Sequence, residues 1–330
     1  MDNTFRTILN PEPSDIQIEH QSGVLCMGSC FAEHIGKRLD DFKFQNFLNP
    51  FGIIYNPISL MESLEVLLDE NKSYEEKDLF ENLGGWHSFQ HHGSFSGTPK
   101  EEVLQRINNT LTNARAFLKK TEFLILTLGT ANVFVEKASD KIVANCHKVP
   151  QQNFYRKKLS VDEMVEKMSA VFDQLIAQFP NLKIIATVSP VRHIRDGLIE
   201  NQISKSKLIL TIHQLAEQYD FLKYFPAYEL LLDDLRDYRF YKKDLIHPSE
   251  MAVDYIWKFF EKTFFSSQTI AINSKVEKIK MAAAHRPFQP HAPAHLDFVK
   301  KQIEKIEKLE NEFPFLNFEL EKNYFKNVNS

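Results

Sequence analysis

Three side chains from two distant parts of the chain have the types that nucleophilic acyl transfer requires. Ser29 follows an apolar run, residues 24–27, and precedes a helical pattern that begins at Phe31. Asp244 and His247 lie three residues apart near the other end of the chain, so one turn can let the carboxylate orient the imidazole. A serine attacks a carbonyl when a histidine takes its proton. We therefore predict Ser29 as the nucleophile, His247 as the base and Asp244 as its partner.

The same chemistry needs hydrogen-bond donors for the negative charge that develops on the carbonyl oxygen. A helix N-terminus supplies free N–H groups and a favourable dipole, and Ser29 is predicted to lie beside one. Gly52 and Gly129 each follow an apolar or aromatic stretch, where a small residue lets backbone approach a ligand closely. The predicted donors are the backbone N–H groups of Ser29 and Gly52 and the side-chain amide of Asn132.

Cys30 is the alternative nucleophile, because a thiolate at a helix N-terminus has a lowered pKa. A buried cysteine also packs as a small hydrophobe, and Ser29 is also of the type that caps helices. The three cysteines, Cys26, Cys30 and Cys146, have no framework spacing and are predicted to be reduced. We favour Ser29 for catalysis and Cys30 for packing.

Residues 73–99 form an aromatic, histidine-rich insertion that is too long for a plain connection. Histidines four apart, such as His87 and His91, share a helix face and can bind metal, and His92 lies next to them. The flanking glycines predict no helix there, so we expect either a functional loop beside the substrate or a small subdomain, with no metal and no cofactor. Further candidate substrate-binding residues are Asn56, Trp86, His87, Thr130, Arg192 and His193.

Alternating strand and helix patterns are expected to position these residues. The predicted strands are residues 24–27, 43–48, 123–128, 182–188 and 221–225, with a hairpin from 133–135 and 142–144. The predicted helices are residues 31–42, 60–68, 101–118, 160–179, 200–219, 228–235, 248–265 and 296–311, with Pro248 in the first turn of its helix. Such alternation predicts an open, mostly parallel α/β sheet whose ligand crevice lies at the carboxyl ends of the strands.

Composition narrows the function classes. The 330 residues carry 40 basic and 44 acidic side chains, a net charge of −4 that argues against nucleic acid or an anionic membrane as partner. No apolar run approaches the roughly 18 residues of a membrane span, and the N-terminus has no signal pattern, so we expect a cytoplasmic protein.

Residues 1–284 are predicted as one domain and residues 285–330 as a proline-rich linker with a charged helix. That helix is expected to pack on the domain or on a second copy of the chain, forming a homo-oligomer.

The run Gly28-Ser29-Cys30-Phe31-Ala32 resembles the signature of the GSCFA family, which looks like part of the SGNH (GDSL-like) hydrolase superfamily. The similarity extends from about residue 20 to about residue 265. Other segments that carry it are residues 49–57, 128–131, 188–193, 235–241 and 244–248. Two departures are visible: SGNH enzymes have Gly-Asp-Ser where this chain has Met27-Gly28-Ser29, and Gly-x-Asn where two residues separate Gly129 from Asn132.

The resemblance implies a flavodoxin-like three-layer α/β/α sandwich with a helical C-terminal extension. It also implies Ser29, His247 and Asp244 as the triad and Gly52 and Asn132 as oxyanion donors, with Asn56 or Thr130 as substitutes for Asn132. The expected activity is a serine esterase that removes a small acyl group, such as acetyl, from a carbohydrate or similar small molecule. An acyltransferase with the same triad and a non-catalytic carbohydrate-binding protein are the alternatives.

Overall fold

The structure is a computed structural model that describes residues 6–285, 288–289 and 292–327. The strands are β1 (Gly23–Gly28), β2 (Asn46–Leu48), β3 (Phe80–Asn82), β4 (Gly85–His87), β5 (Thr121–Leu128), β6 (Asn132–Glu136), β7 (Lys141–Val143), β8 (Phe154–Lys158), β9 (Lys183–Val188) and β10 (Leu222–Phe225). The helices are α1 (Cys30–Asp41), α2 (Pro57–Leu68), α3 (Lys100–Leu118), α4 (Val161–Gln178), α5 (Leu198–Gln218), α6 (Ala227–Glu229), α7 (Glu250–Phe264), α8 (Ser267–Ala284), α9 (Pro293–Glu312) and α10 (Glu319–Asn327). Parts of the predicted linker, residues 286–287 and 290–291, and the N-terminal residues 1–5 lie outside the described residues.

Five parallel strands form the central sheet in the order β10-β9-β5-β1-β2. Numbered along the chain, these strands follow the doubly wound order 2-1-3-4-5, in which the winding direction reverses between β1 and β5. A reversal of this kind opens a crevice at the carboxyl ends of the two strands. The predicted three-layer α/β fold is therefore confirmed, and the turns after β1 and β5 both lie at this crevice.

Both faces of the sheet are covered, because successive side chains along each strand point to opposite sides. In β1, Leu25 and Met27 join the core under α2, α3, α4 and α5, whereas Val24 and Cys26 join the core under α1, α7 and α8. All six residues of β1 are buried. This double burial explains why the strand is a continuous apolar run in the sequence.

Two small antiparallel sheets extend from the main layer. The predicted hairpin is present as β6 and β7, and β8 pairs with the other edge of β6. Sequence analysis missed β8 because four of its five residues are exposed, so its sequence has no apolar alternation. Within the insertion, β3 and β4 form a short hairpin, so this segment is a compact unit beside the main sheet.

The C-terminal helices pack on the domain itself. Ile306 of α9 and Phe325 of α10 are buried in the same core as Trp257 of α7. Helix α7 begins later than predicted: Ser249 caps it by accepting a hydrogen bond from the Ala252 N–H, and Pro248 precedes the cap. Within the described ranges, no helix has the length and apolar character needed to cross a membrane.

Two buried histidines make the stability of this fold sensitive to acid. Burial lowers the pKa of His91 to about 3 and that of His20 to about 4. Histidines of the unfolded chain titrate near pH 6.5, so below that pH only the unfolded state gains these protons. Each histidine makes its full contribution to the free energy of unfolding above about pH 6.5. As the pH drops toward the pKa of the folded state, that contribution falls by about 1.4 kcal/mol per pH unit.

We expect the free energy of unfolding, measured with urea, to fall between about pH 7 and about pH 5. A His91→Gln variant, which cannot bind the proton, loses less stability over the same interval, whatever its stability at neutral pH. Equal pH dependence of the parent and the variant would contradict the assignment to His91.

Candidate functional site

The turn after β1 is held by hydrogen bonds from its backbone N–H groups to β5 and to the loop after β2. The Gly28 N–H donates to Asn49 Oδ1 (2.9 Å), and the Ser29 N–H donates to the Thr127 carbonyl of β5 (2.9 Å). Gly28 has φ +132°, and a Cβ on it would lie 2.2 Å from the Thr127 oxygen. Only glycine fits this position, so the turn brings Ser29 and Cys30 to the crevice with one defined geometry.

Ser29 caps helix α1 in this structure. Its side chain is fully buried (0 % exposed), and Oγ accepts a hydrogen bond from the Phe31 N–H (3.4 Å). No hydrogen bond joins Ser29 to His247 among the described residues. Its role as nucleophile thus stays a prediction, and the capping role that sequence analysis named as the alternative is the one its contacts support.

Asp244 and His247 form a close pair on a turn before α7. The His247 Nδ1–H donates to Asp244 Oδ2 (2.7 Å), while Asp244 Oδ1 accepts the N–H groups of Ile246 (2.9 Å) and His247 (3.0 Å). The backbone N–H groups of His247 and then Ile246 hold the pKa of Asp244 near 2. The carboxylate therefore stays ionised and fixes the tautomer of His247, whose Nε2 can accept a proton.

The His247 turn lies beside the carboxyl end of β9 and the first turns of α1. Arg192, just after β9, lies over the Tyr241 ring at 4.4 Å, and Tyr241 bridges to Pro248 next to His247. Burial is the main cause of the lowered pKa of His193 and of His34, followed by the charges of Lys205 and Lys242 respectively, and the charge of His247 lowers both pKa values further. His247 is thus near the end of β9 and the start of α1, which both border the crevice.

Each of the three predicted oxyanion donors already has a partner in this structure. The Ser29 N–H is used by Thr127, the Gly52 N–H donates to the Asn49 carbonyl (2.7 Å), and Asn132 Nδ2 donates to Asp196 Oδ2 (3.3 Å). The two backbone groups therefore serve local structure here, and their role as oxyanion donors stays a prediction. A Cβ on Gly52 would lie 2.3 Å from His92 Cβ, so this glycine permits close packing of the insertion.

Asn49 offers a donor that sequence analysis missed. The residue is buried, its Oδ1 holds the Gly28 N–H, and its Nδ2 has no hydrogen-bond partner within the described part of the chain. An unsatisfied amide beside the turn is energetically costly unless a ligand or water binds it. The only sequence signal was its place in the Asn-Pro-Phe-Gly run after β2.

A cavity of about 640 Å³ lies between the strand-end turns and the sheet of β6, β7 and β8. Three of the predicted substrate-binding residues, Asn56, Thr130 and His193, line it, together with the predicted oxyanion donor Asn132. Ser29 and His247 are not among its lining residues. Tyr55 connects the turn after β5 with the segment after β9. Its carbonyl accepts the N–H groups of Gly129 (2.8 Å) and Thr130 (3.0 Å), and its ring packs edge-on against His193.

Three predicted substrate-binding residues lie away from this cavity. The Lys100 ammonium lies over the Trp86 ring, 4.5 Å from the ring centroid. The ring of His87 bonds to Ser96 Oγ (2.7 Å) and to the Asn82 carbonyl (3.0 Å), so its polar atoms are satisfied within the insertion. Arg192 lies over the Tyr241 ring.

In the described ranges, no cluster of three or more His, Cys, Asp or Glu side chains is arranged to hold a metal ion.

Lys205 of α5 is the most unusual residue near the site, and sequence analysis missed it. It is 1 % exposed, and its Nζ donates to the carbonyls of Gly129 and Ser189, both at 2.7 Å. Burial lowers the pKa of Lys205 to about 7, and no carboxylate of the described residues pairs with it. One signal was available: Lys205 falls on the helix face shared with Leu208 and Ile212, which the periodicity marks as buried.

Two family models match the chain. The model described as "GSCFA family" matches residues 23–260, and the model described as "GSCFA domain protein, C-terminal domain" matches residues 276–328. No curated protein matches. A solved structure described as "a putative platelet activating factor from Streptococcus pneumonia" is similar at 12 % identity with a TM-score of 0.37, over 73 % of this chain and 83 % of that one. Likeness at this level carries no argument about function.

The geometry of the β1 turn predicts that Gly28→Ala is strongly destabilising. A side chain must relieve both the contact with the Thr127 carbonyl and the unfavourable φ, and we expect a loss of about 3 kcal/mol or more in unfolding free energy. Gly93→Ala is the matched control, because a Cβ at Gly93 meets no atom within 4 Å. Thermal unfolding followed by circular dichroism compares the two, and a Gly28 variant as stable as the Gly93 variant would contradict the strain argument.

Proposed function

The chain belongs to the GSCFA family, and we propose that it is an acyl hydrolase of SGNH type that cleaves an ester by nucleophilic attack. The observation that carries this proposal is the Asp244–His247 pair, in which an ionised carboxylate holds the imidazole with Nε2 available. The pair lies near the carboxyl end of the sheet, at which doubly wound α/β proteins bind ligands. Its orientation is the one that a general base requires.

In the proposed reaction, a nucleophile on the β1 turn attacks the carbonyl carbon while His247 Nε2 takes its proton. Asp244 stabilises the resulting imidazolium, which then protonates the leaving alkoxide. Water, activated by the same histidine, hydrolyses the acyl-enzyme. Sequence analysis favours Ser29 as nucleophile with Cys30 as the alternative, and attack by Ser29 requires its buried side chain to become exposed.

We propose that the charge on the carbonyl oxygen is held by side-chain amides. Asn132 lines the cavity, and Asn49 has an unpartnered Nδ2 next to the turn. The Ser29 and Gly52 N–H groups can contribute only if their present main-chain bonds open, and Asn132 can contribute through Nδ2 only if its bond to Asp196 opens. This assignment differs from the usual pair of backbone donors, but side-chain amides perform the same role in acyl transfer.

The proposed substrate is a small polar ester, such as an acetylated carbohydrate. A cavity of about 640 Å³ has the size of a small-molecule site. Polar side chains, among them Asn145, Gln151 and Arg195, line part of a wall that is otherwise apolar. The protein acts as an acyltransferase instead if an added sugar, rather than water, receives most of the released acyl group, which product analysis measures directly.

We expect His247→Ala and Asp244→Asn each to lower kcat/KM for p-nitrophenyl acetate by about 100-fold or more, because both remove the oriented base. Asp237→Asn is the control: Asp237 is a partly exposed carboxylate that accepts hydrogen bonds from Arg239 and makes no hydrogen bond to a proposed catalytic group. Its activity should match that of the parent. A parent without esterase activity, or a fully active His247→Ala protein, would contradict the proposed function.

A further inference from the structure

We propose that the cavity between the strand-end turns and the sheet of β6, β7 and β8 selects substrates that carry an acidic group, a carboxylate or a phosphate, in addition to the ester. Lys148, Arg156 and Arg195 are the residues that bind this group. The inference names the substrate class of the proposed acyl hydrolase and therefore rests on the proposed function, but the binding of an acid to the cavity can be measured without any ester.

The charged side chains that line the cavity are mostly cationic. Lys148, Arg156 and Arg195 carry positive charges, and Asp196 is the one carboxylate among the described residues that line it. A cleft lined mainly by charges of one sign raises the local concentration of ligands of the opposite sign. The cavity thus differs from the chain as a whole, whose net charge is −4.

The carboxylate of Asp196 is already neutralised by the protein. Its Oδ1 forms an ion pair with the guanidinium of Arg156 in β8, and its Oδ2 accepts a hydrogen bond from Asn132 Nδ2 of β6 (3.3 Å). Only 15 % of the Asp196 side chain is exposed. Asp196 therefore balances one of the three cations, and two positive charges remain for a ligand.

These two remaining charges belong to Lys148 and Arg195, which form no ion pair within the part of the chain that the structure describes. Both residues are exposed, so they lie where the cavity opens to solvent. By contrast, Lys157 and Lys158 of β8 each have a carboxylate oxygen within 2.6 Å. Of these four cations, the two without a carboxylate are the two that line the cavity.

Arg156 and Arg195 lie beside each other, because Arg195 precedes Asp196 in the chain and Asp196 binds Arg156. Arg156 also pairs across the strands with Phe134 of β6, and its guanidinium carbon lies 5.3 Å from the centroid of the Phe134 ring. An adjoining cavity of about 300 Å³ is lined by the same two arginines. A planar guanidinium presents paired N–H groups that match two oxygens of a carboxylate or phosphate. The two arginines therefore suit an acidic ligand in geometry as well as in charge.

Lys148 lies on a turn with an uncommon backbone conformation. His147 (φ +47°) and Lys148 (φ +59°) are both in the left-handed region, which costs free energy for residues other than glycine. Hydrogen bonds on both sides of His147 hold the turn: its N–H donates to Asn145 Oδ1 (2.9 Å), and its carbonyl accepts Asn82 Nδ2 (2.8 Å). The fold thus fixes the backbone of Lys148 at the cavity, which reduces the cost of ordering this residue when a ligand binds.

The cavity wall is joined to the β1 turn by two hydrogen bonds. The Ile54 N–H donates to the Gly28 carbonyl (3.0 Å), and the carbonyl of the next residue, Tyr55, accepts the Gly129 N–H (2.8 Å). Tyr55 lines the cavity. A substrate held in the cavity by its acidic group can therefore extend its ester toward the turn that carries the proposed nucleophile.

The rest of the wall indicates what the acidic group is attached to. Apolar side chains such as Val133, Val143 and Phe154 line the cavity, and apolar surroundings strengthen the attraction between unlike charges. A volume of about 640 Å³ suits a small molecule. The substrate class that fits best is an acyl ester of a small ring compound with an acidic group, such as a sugar acid or a sugar phosphate.

Binding of acids that carry no ester tests the cavity without catalysis. In isothermal titration calorimetry at low salt, we expect D-glucuronate or glucose 6-phosphate to bind about tenfold more tightly than glucose. The tighter of the two acids identifies the preferred acidic group. The double variant Lys148→Gln/Arg195→Gln should bind that acid about tenfold more weakly, because it lacks both unpaired cations.

Lys300→Gln/Lys308→Gln is the matched control. Both lysines are exposed residues of α9, so the variant loses the same charge away from the cavity and should bind the acid as the parent does. Equal affinity of the parent for glucose and the acids overturns the inference. Unchanged acid affinity in a folded Lys148→Gln/Arg195→Gln protein also overturns it, as does the absence of acid binding at millimolar concentration.

Ester selectivity connects the cavity with catalysis. The test compares kcat/KM for p-acetoxybenzoate, which carries a carboxylate, with kcat/KM for p-nitrophenyl acetate, which carries no charge. We expect the ratio of the two to fall by about tenfold in Lys148→Gln/Arg195→Gln and to keep the parent value in Lys300→Gln/Lys308→Gln. An unchanged ratio in an active Lys148→Gln/Arg195→Gln protein overturns the acid selectivity and leaves the proposed function in place. A parent without esterase activity overturns the proposed function, and calorimetry then decides separately whether the cavity binds acids.

Discussion

The structure depends on the hydrogen bonds that fix the end of β1 at the point where the sheet reverses its winding. Thr127 of β5 accepts the Ser29 N–H, and Asn49 from the loop after β2 accepts the Gly28 N–H. Only a glycine can pass so close to β5, so the chain turns into α1 with one defined geometry. The same bonds that position the Ser29–Cys30 turn also bury Ser29 and use its N–H.

Around this junction, the candidate site combines groups that are far apart in sequence and differ in charge. The ionised carboxylate of Asp244 orients His247 on a partly exposed turn. The buried Lys205 donates hydrogen bonds to the carbonyls that follow β5 and β9. Burial acts on Lys205 and on His193 by lowering their pKa values, so a proton is easily lost from both. Such a distribution of pKa values is common at catalytic sites, although structural pairs also produce it.

Much of the fold was predictable, because it follows from local periodicity. The apolar runs of β1 and β5 identify strands buried on both faces, and the Ser160–Glu163 capping box marks the start of α4. Strand β8 was missed because most of its side chains are exposed. In the site, the Asp244–His247 spacing indicated a pair, and the structure places the two residues in contact.

The sequence by itself determined which chemical groups are available and which short-range patterns join them: the Gly28-Ser29-Cys30 turn, the Asp244–His247 spacing and the alternation of strands and helices. Only the tertiary structure decided which of these groups are buried, partnered or exposed, and therefore that Ser29 is buried and caps a helix, that Cys30 is partly exposed and that Lys205 is buried against the Gly129 and Ser189 carbonyls. The physical reason is that burial and pairing arise largely from contacts between segments that are distant in the sequence, which local periodicity does not encode.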